Sequence, residues 1–171
     1  KNIHHKNSIS LGRDNLSFYP KIMHLSILIP SFTLSLLFLA MIQDIKTNRI
    51  SNLFSLIGIM GTLMILILTE PWEIIRLHLL SFLILFVITL IGYRARVIGG
   101  GDAKILSFVA LTVPFFDLLT LCLCITISGG IQALISIIYG KIKGLPKTIG
   151  IPYGVAVFVG TLGFWMINFL G

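Results

Sequence analysis

Near-continuous apolar runs, separated by short polar loops, constrain this chain more than any other feature. They cover residues 25–43, 53–69, 74–93, 118–139 and 151–170, with a shorter run at 103–113. A helix needs about 20 apolar residues to cross a hydrocarbon core of roughly 30 Å. Of 171 residues, 56% are hydrophobic and 11% charged, more apolar surface than a soluble domain of this size hides. Segments in lipid must satisfy their backbone internally, which favours helices. The expected fold is therefore all-α: a polytopic membrane bundle of about six transmembrane helices over residues 25–171, in contact with the lipid bilayer. Residues 1–24 read as a basic tail ahead of an anchor that stays. The run that follows is too long for a signal h-region and lacks an A-x-A-type cleavage site.

The net charge of +7 does not point to nucleic acid, because the cations fall at run boundaries and form no single stripe. Lys46, Arg49, Arg94, Arg96, Lys104, Lys141, Lys143 and Lys147 fall in the first, third and fifth loops. The second and fourth hold Glu70, Glu73 and Asp117, with Arg76 the one cation. The positive-inside rule places the basic loops in the cytoplasm, which sets the tail on the outer side. Cys122 and Cys124 form a C-x-C pair whose side chains diverge on a helix, so they read as packing residues rather than as a metal site or disulfide. His4, His5 and His78 read as surface or interfacial residues.

That topology leaves two acids on the cytoplasmic side, Asp44 and Asp102, each where an apolar helix meets a loop. Two carboxylates brought together there do not both ionise easily and share a proton. Such a pair suits peptide hydrolysis: one member activates water as general base, while the protonated member polarises the scissile carbonyl. Asp102 precedes a helix and Asp44 follows one, so the helix dipoles predict that Asp102 is the more acidic and that Asp44 holds the proton at rest. Before Asp102 runs Gly99-Gly100-Gly101. These glycines permit positive φ and close backbone approach, and are read as a flexible hinge against which a substrate strand can lie. Residue chemistry alone leaves other readings open. Asp44 is also placed to pair with Lys46 or Arg49, and Asp102 to cap its helix. A non-enzymatic carrier or assembly subunit would use the same two aspartates to handle protons or cations.

Gly99-Gly100-Gly101-Asp102-Ala103-Lys104 resembles the G-G-G-D-x-K form of the signature of the type IV prepilin peptidases, intramembrane-type aspartic proteases. Asp44 followed by Arg49-Ile50-Ser51-Asn52 resembles that family's first aspartate motif, and Ile151-Pro152-Tyr153-Gly154 a third segment near the last helix. The resemblance runs from about residue 35 to the C-terminus.

It implies that Asp44 and Asp102 are the catalytic pair. It also implies that Gly99, Gly100, Gly101, Lys104, Asn52, Pro152 and Gly154 serve substrate binding or site structure, with no metal and no cofactor. The implied activity is removal of a basic leader from prepilin or pseudopilin precursors of type IV pilus or secretion systems, at the cytoplasmic face of a bacterial inner membrane. Ser51 and Val155 stand where the family usually has proline. No C-x-x-C occurs, so the likeness is to a short, peptidase-only form. Presenilin-type proteases share G-x-G-D, but there a tyrosine precedes the first aspartate, where this chain has Gln43.

Overall fold

The structure, a computed structural model, describes residues 15–47, 51–143 and 153–170. Among the described residues there are six α-helices and no strand. They are α1 (Asn15–Thr47), α2 (Asn52–Thr69), α3 (Trp72–Arg94), α4 (Gly100–Leu111), α5 (Leu118–Lys143) and α6 (Tyr153–Leu170), with one 3-10 turn at Phe115–Asp117. The expected all-α membrane bundle is the one observed.

Five segments are long and apolar enough to cross a bilayer: Ile27–Thr47, Asn52–Thr69, Trp72–Arg94, Phe115–Ile142 and Tyr153–Leu170. The sixth helix, α4, has 12 residues and reaches only about 18 Å. Its place in the fold differs accordingly. Every residue from Ile105 to Leu111 is buried, and α4 packs against α2, α3 and α6 at the centre of the bundle.

The longer helices turn their sequence inside out relative to a soluble protein. On α2 the buried positions are Ser55, Gly58, Thr62 and Leu66, at helical spacing, while Leu56, Met60, Met64 and Ile67 are exposed. On α3 the buried set is Ile75, His78, Ser81, Leu85 and Thr89. Between helices in lipid, packing rather than the hydrophobic effect drives association, so small and weakly polar residues face inward. Several inward hydroxyls are returned to their own helices: Thr33 donates to the Ile29 carbonyl at 2.6 Å and Thr89 to the Leu85 carbonyl at 2.8 Å.

Small residues are decisive where α5 meets α6. A Cβ on Gly160 would stand 2.5 Å from Cα of Ile125 and 2.8 Å from its nitrogen, so only glycine lets these backbones approach so closely. Gly163, on the same helix, has open space beside it and makes no such contact.

Helix ends follow the sequence's punctuation. Pro71 caps α3 and Pro114 caps the 3-10 turn after α4. Ser51 caps α2, its hydroxyl accepting the Leu53 N–H at 3.2 Å. The α3–α4 connection is a Schellman turn. Val97 N–H donates to the Gly92 carbonyl at 2.9 Å and Arg96 N–H to the Tyr93 carbonyl at 3.0 Å. Arg96, not a glycine, occupies the left-handed position, at φ 59°.

Two features depart from expectation. Helix α1 begins at Asn15, inside the segment read as a tail, and continues to Thr47, so Asp44 lies within its last turn rather than beyond its end. His78 is not interfacial: it is buried, and its Nδ1 meets the Leu111 carbonyl at 2.9 Å, tying α3 to α4.

Candidate active site

Asp44 enters the site from the last turn of α1. Its neighbours there, Leu37 and Ala40, are buried, and Asp44 itself is only 5% exposed. A carboxylate so placed needs a donor, and the N-terminus of α6 supplies one. The Gly154 N–H donates to Asp44 Oδ2 at 2.7 Å. The first N–H groups of a helix have no partner within the helix, so this bond satisfies both the carboxylate and the helix end. Glycine keeps this approach free of crowding. A Cβ on Gly154 would lie 3.1 Å from Asp44 Oδ2, 3.2 Å from Asp44 Cβ and 3.4 Å from Met41 Cα. The α1–α6 pairing thus brings together residues 110 positions apart.

Asp102 comes from the opposite direction, in the first turn of α4. Gly99 is the N-cap, with φ −68° and ψ 147°, and its carbonyl accepts the Ala103 N–H at 3.0 Å. The Asp102 carboxylate reaches back to the Gly99 N–H, the return half of a capping box. The glycines therefore act differently from the hinge expected of them. Gly99 is in extended backbone, while Gly100 and Gly101 belong to the helix itself. Gly99 leaves room for the carboxylate, since a Cβ there would stand 2.8 Å from Asp102 Oδ2. Gly100 lies against the Tyr93 ring, 3.2 Å from where its Cβ would be.

The two aspartates feel each other. Burial, and then the charge of Asp44, push the Asp102 carboxyl above the usual carboxylate range, against the opposing effect of the Gly99 N–H. At Asp102 itself, the lowering expected from the helix dipole is outweighed by burial. The dipole argument considered each aspartate against its own helix alone. It left out the N-terminus of α6, which presents its Gly154 N–H to Asp44. Asp102, half-buried and facing that charge, holds its proton more tightly than a free carboxyl does.

Of the other expected site residues, Lys104 and Asn52 meet each other, Lys104 Nζ donating to Asn52 Oδ1 at 2.8 Å. Gly101 is half-buried in the first turn of α4. Pro152 lies outside the described residues, as do Arg49, Ile50 and Lys147. One neighbour was not singled out from sequence: Tyr153, half-buried beside Gly154, whose phenol lies within electrostatic range of Asp102. Its signal was adjacency, since it sits inside the Ile151-Pro152-Tyr153-Gly154 segment. Cys122 and Cys124 are free, half-buried thiols. Among the described residues no three His, Cys, Asp or Glu side chains gather as metal ligands.

Five helices long and apolar enough to cross a bilayer place the chain in the class of polytopic helical membrane proteins. Within it, the model of the type IV leader peptidase family matches residues 31–134, more than half of the chain, and the protein belongs to that family. The match includes Asp44, the Gly99–Gly101 run, Asp102 and Lys104. No curated protein and no solved structure matches the chain. Family membership makes the protein a peptidase and weighs against the carrier reading.

Proposed function

We propose that this protein removes the leader peptide from type IV prepilin or pseudopilin precursors, as an aspartic endopeptidase whose catalytic pair is Asp44 and Asp102. The observation that carries the reading is the electrostatic coupling of two carboxyls, on α1 and α4, beside the N-terminus of α6. Asp44 is the general base: its carboxylate takes a proton from water as the water oxygen attacks the scissile carbonyl carbon. Asp102 is the general acid: it gives its proton to the carbonyl oxygen, yielding a neutral tetrahedral diol. When the C–N bond breaks, the proton now on Asp44 passes to the leaving amine. The proton on the diol returns to Asp102, which restores the starting state.

The remaining expected residues take supporting roles. Gly154 holds Asp44 through its N–H, and Gly99 clears space for Asp102. Gly100 and Gly101 keep the first turn of α4 slim for an approaching substrate, and Lys104 with Asn52 joins α4 to α2 next to the site. Pro152 is assigned to site structure on the resemblance alone. The site faces the cytoplasm of a bacterial inner membrane, where the basic loops lie.

Co-expression with a pilin precursor tests the substrate assignment: the precursor shortens, and the new N-terminus maps to the leader boundary. An unchanged precursor across several pilins and pseudopilins contradicts it. Infrared spectroscopy tests the proton assignment. A protonated-carboxyl band at neutral pH is expected in the native protein and is lost in Asp102→Asn. A band that survives that substitution and is lost in Asp44→Asn overturns it.

A further inference from the structure

Helices α2 and α3 barely touch, and the gap between them is floored by α4. The result is a groove of about 500 Å³ that opens sideways from the bundle. Its walls are Leu56 and Ile59 on α2 and Phe82 and Phe86 on α3, all apolar. Leu56 and Phe86 are among the exposed large hydrophobic residues, so the groove faces whatever surrounds the bundle, which for a membrane protein is lipid.

The mouth has a different chemistry. Lys104 and Asn52 stand there, joined by the 2.8 Å bond from Nζ to Oδ1. That bond occupies one lone pair of the Asn52 oxygen and one of the three donors on the lysine. Donors predominate among the side-chain hydrogen-bonding groups left at the mouth: two on Lys104 Nζ and two on Asn52 Nδ2, against one lone pair on Asn52 Oδ1. Asn52 is the first residue of a membrane-crossing segment, so these donors lie at headgroup depth. One turn further in, about 4.5 Å along the helix, Ser55 also lines the groove. It is 4% exposed, and its hydroxyl has no hydrogen-bond partner. A buried hydroxyl without a partner is costly, and here it stands below a cluster of anion-binding donors.

We propose that this groove is a binding site for one anionic phospholipid. The phosphate sits on Lys104 and Asn52, the Ser55 hydroxyl donates to an ester carbonyl beneath it, and one acyl chain lies between α2 and α3. Size decides against a helix as the occupant. Three turns of helix about 10 Å across displace about 1,200 Å³, more than the roughly 910 Å³ of empty space in the groove, open side included, whereas an extended acyl chain is narrow enough to enter. Charge decides the headgroup, since the mouth offers donors and one positive charge.

Native mass spectrometry of the intact protein in mild detergent tests this, with phosphatidylglycerol and phosphatidylcholine of matched chains and with inorganic phosphate. A one-to-one phosphatidylglycerol adduct is expected, held in preference to phosphatidylcholine, with no adduct from phosphate alone. Lys104→Gln lowers that preference about fivefold, as expected for one cation at the membrane surface, and Lys104→Arg retains it. Leu56→Trp, which fills the groove, lowers retention of both lipids while thermal melting shows the protein folded. Equal retention of the two lipids, or a preference unmoved by Lys104→Gln, overturns the proposal. So does an adduct formed by phosphate alone. Capture of an added transmembrane peptide, in place of lipid, by a photo-crosslinker at position 56 also overturns it.

Discussion

The Gly154 N–H and the Asp44 carboxylate, 2.7 Å apart, join the start of α6 to the end of α1. The bond fixes one of the two site carboxyls and gives the first turn of α6 an acceptor. A side chain at residue 154 would crowd it. Gly154→Ala places a methyl group 3.1 Å from Oδ2 and 3.4 Å from the Met41 backbone. Overpacking of this kind costs about 1–3 kcal/mol. A lowered melting temperature in detergent and slower cleavage are expected, and thermal-shift and cleavage assays on the variant check both. A variant that melts and cleaves like the native protein would show that α6 moves aside without consequence.

Asp102 carries a pH signature. Its carboxyl is pushed up in the folded protein by burial and by Asp44. Between the ordinary carboxylate range and that raised value, the folded protein keeps a proton that the unfolded chain has released. Stability from this group is therefore greatest at low pH and falls as pH rises through the window. Asp102→Asn removes the slope. Melting curves across that range should show the variant gaining stability over the native protein as pH rises toward neutrality, while it loses activity. A gap that narrows with rising pH would mean the shift has the opposite sign.

Arg96 closes the Schellman turn at φ 59°, a conformation that suits glycine. Arg96→Gly relieves the left-handed strain at some cost in chain entropy, a net gain of about 0.5–1 kcal/mol. A melting temperature raised by a few degrees with activity unchanged is the expected outcome; a lower one would show that the arginine side chain contributes more than its backbone costs.

Much of this fold is written in apolar run length. Six runs gave six helices, and the short run at 103–113 became the short buried helix α4 because its flanks, Gly99 and Pro114, both stop a helix. The two aspartates stood out because acids are so scarce in the chain. What escaped sequence reading is tertiary in origin. Gly99–Gly101 read as a hinge because glycine permits many backbones, but the helix that Asp102 caps selects only one of them. The dipole argument weighed each aspartate against its own helix, whereas Gly154, which donates to Asp44, comes from a third helix far along the chain. His78 read as interfacial from its position near the start of α3, and only the packing of α3 on α4 reveals the Leu111 carbonyl it serves. Arg96 gave no turn signal, since nothing in an arginine announces positive φ.

The most direct measurement is cleavage of a co-expressed pilin precursor by the native protein, Asp44→Asn and Asp102→Asn, with melting curves showing both variants folded. Paired carboxyls acting as base and acid predict that each single substitution abolishes the size shift. Cleavage that persists in either folded variant contradicts a shared catalytic role for the two aspartates.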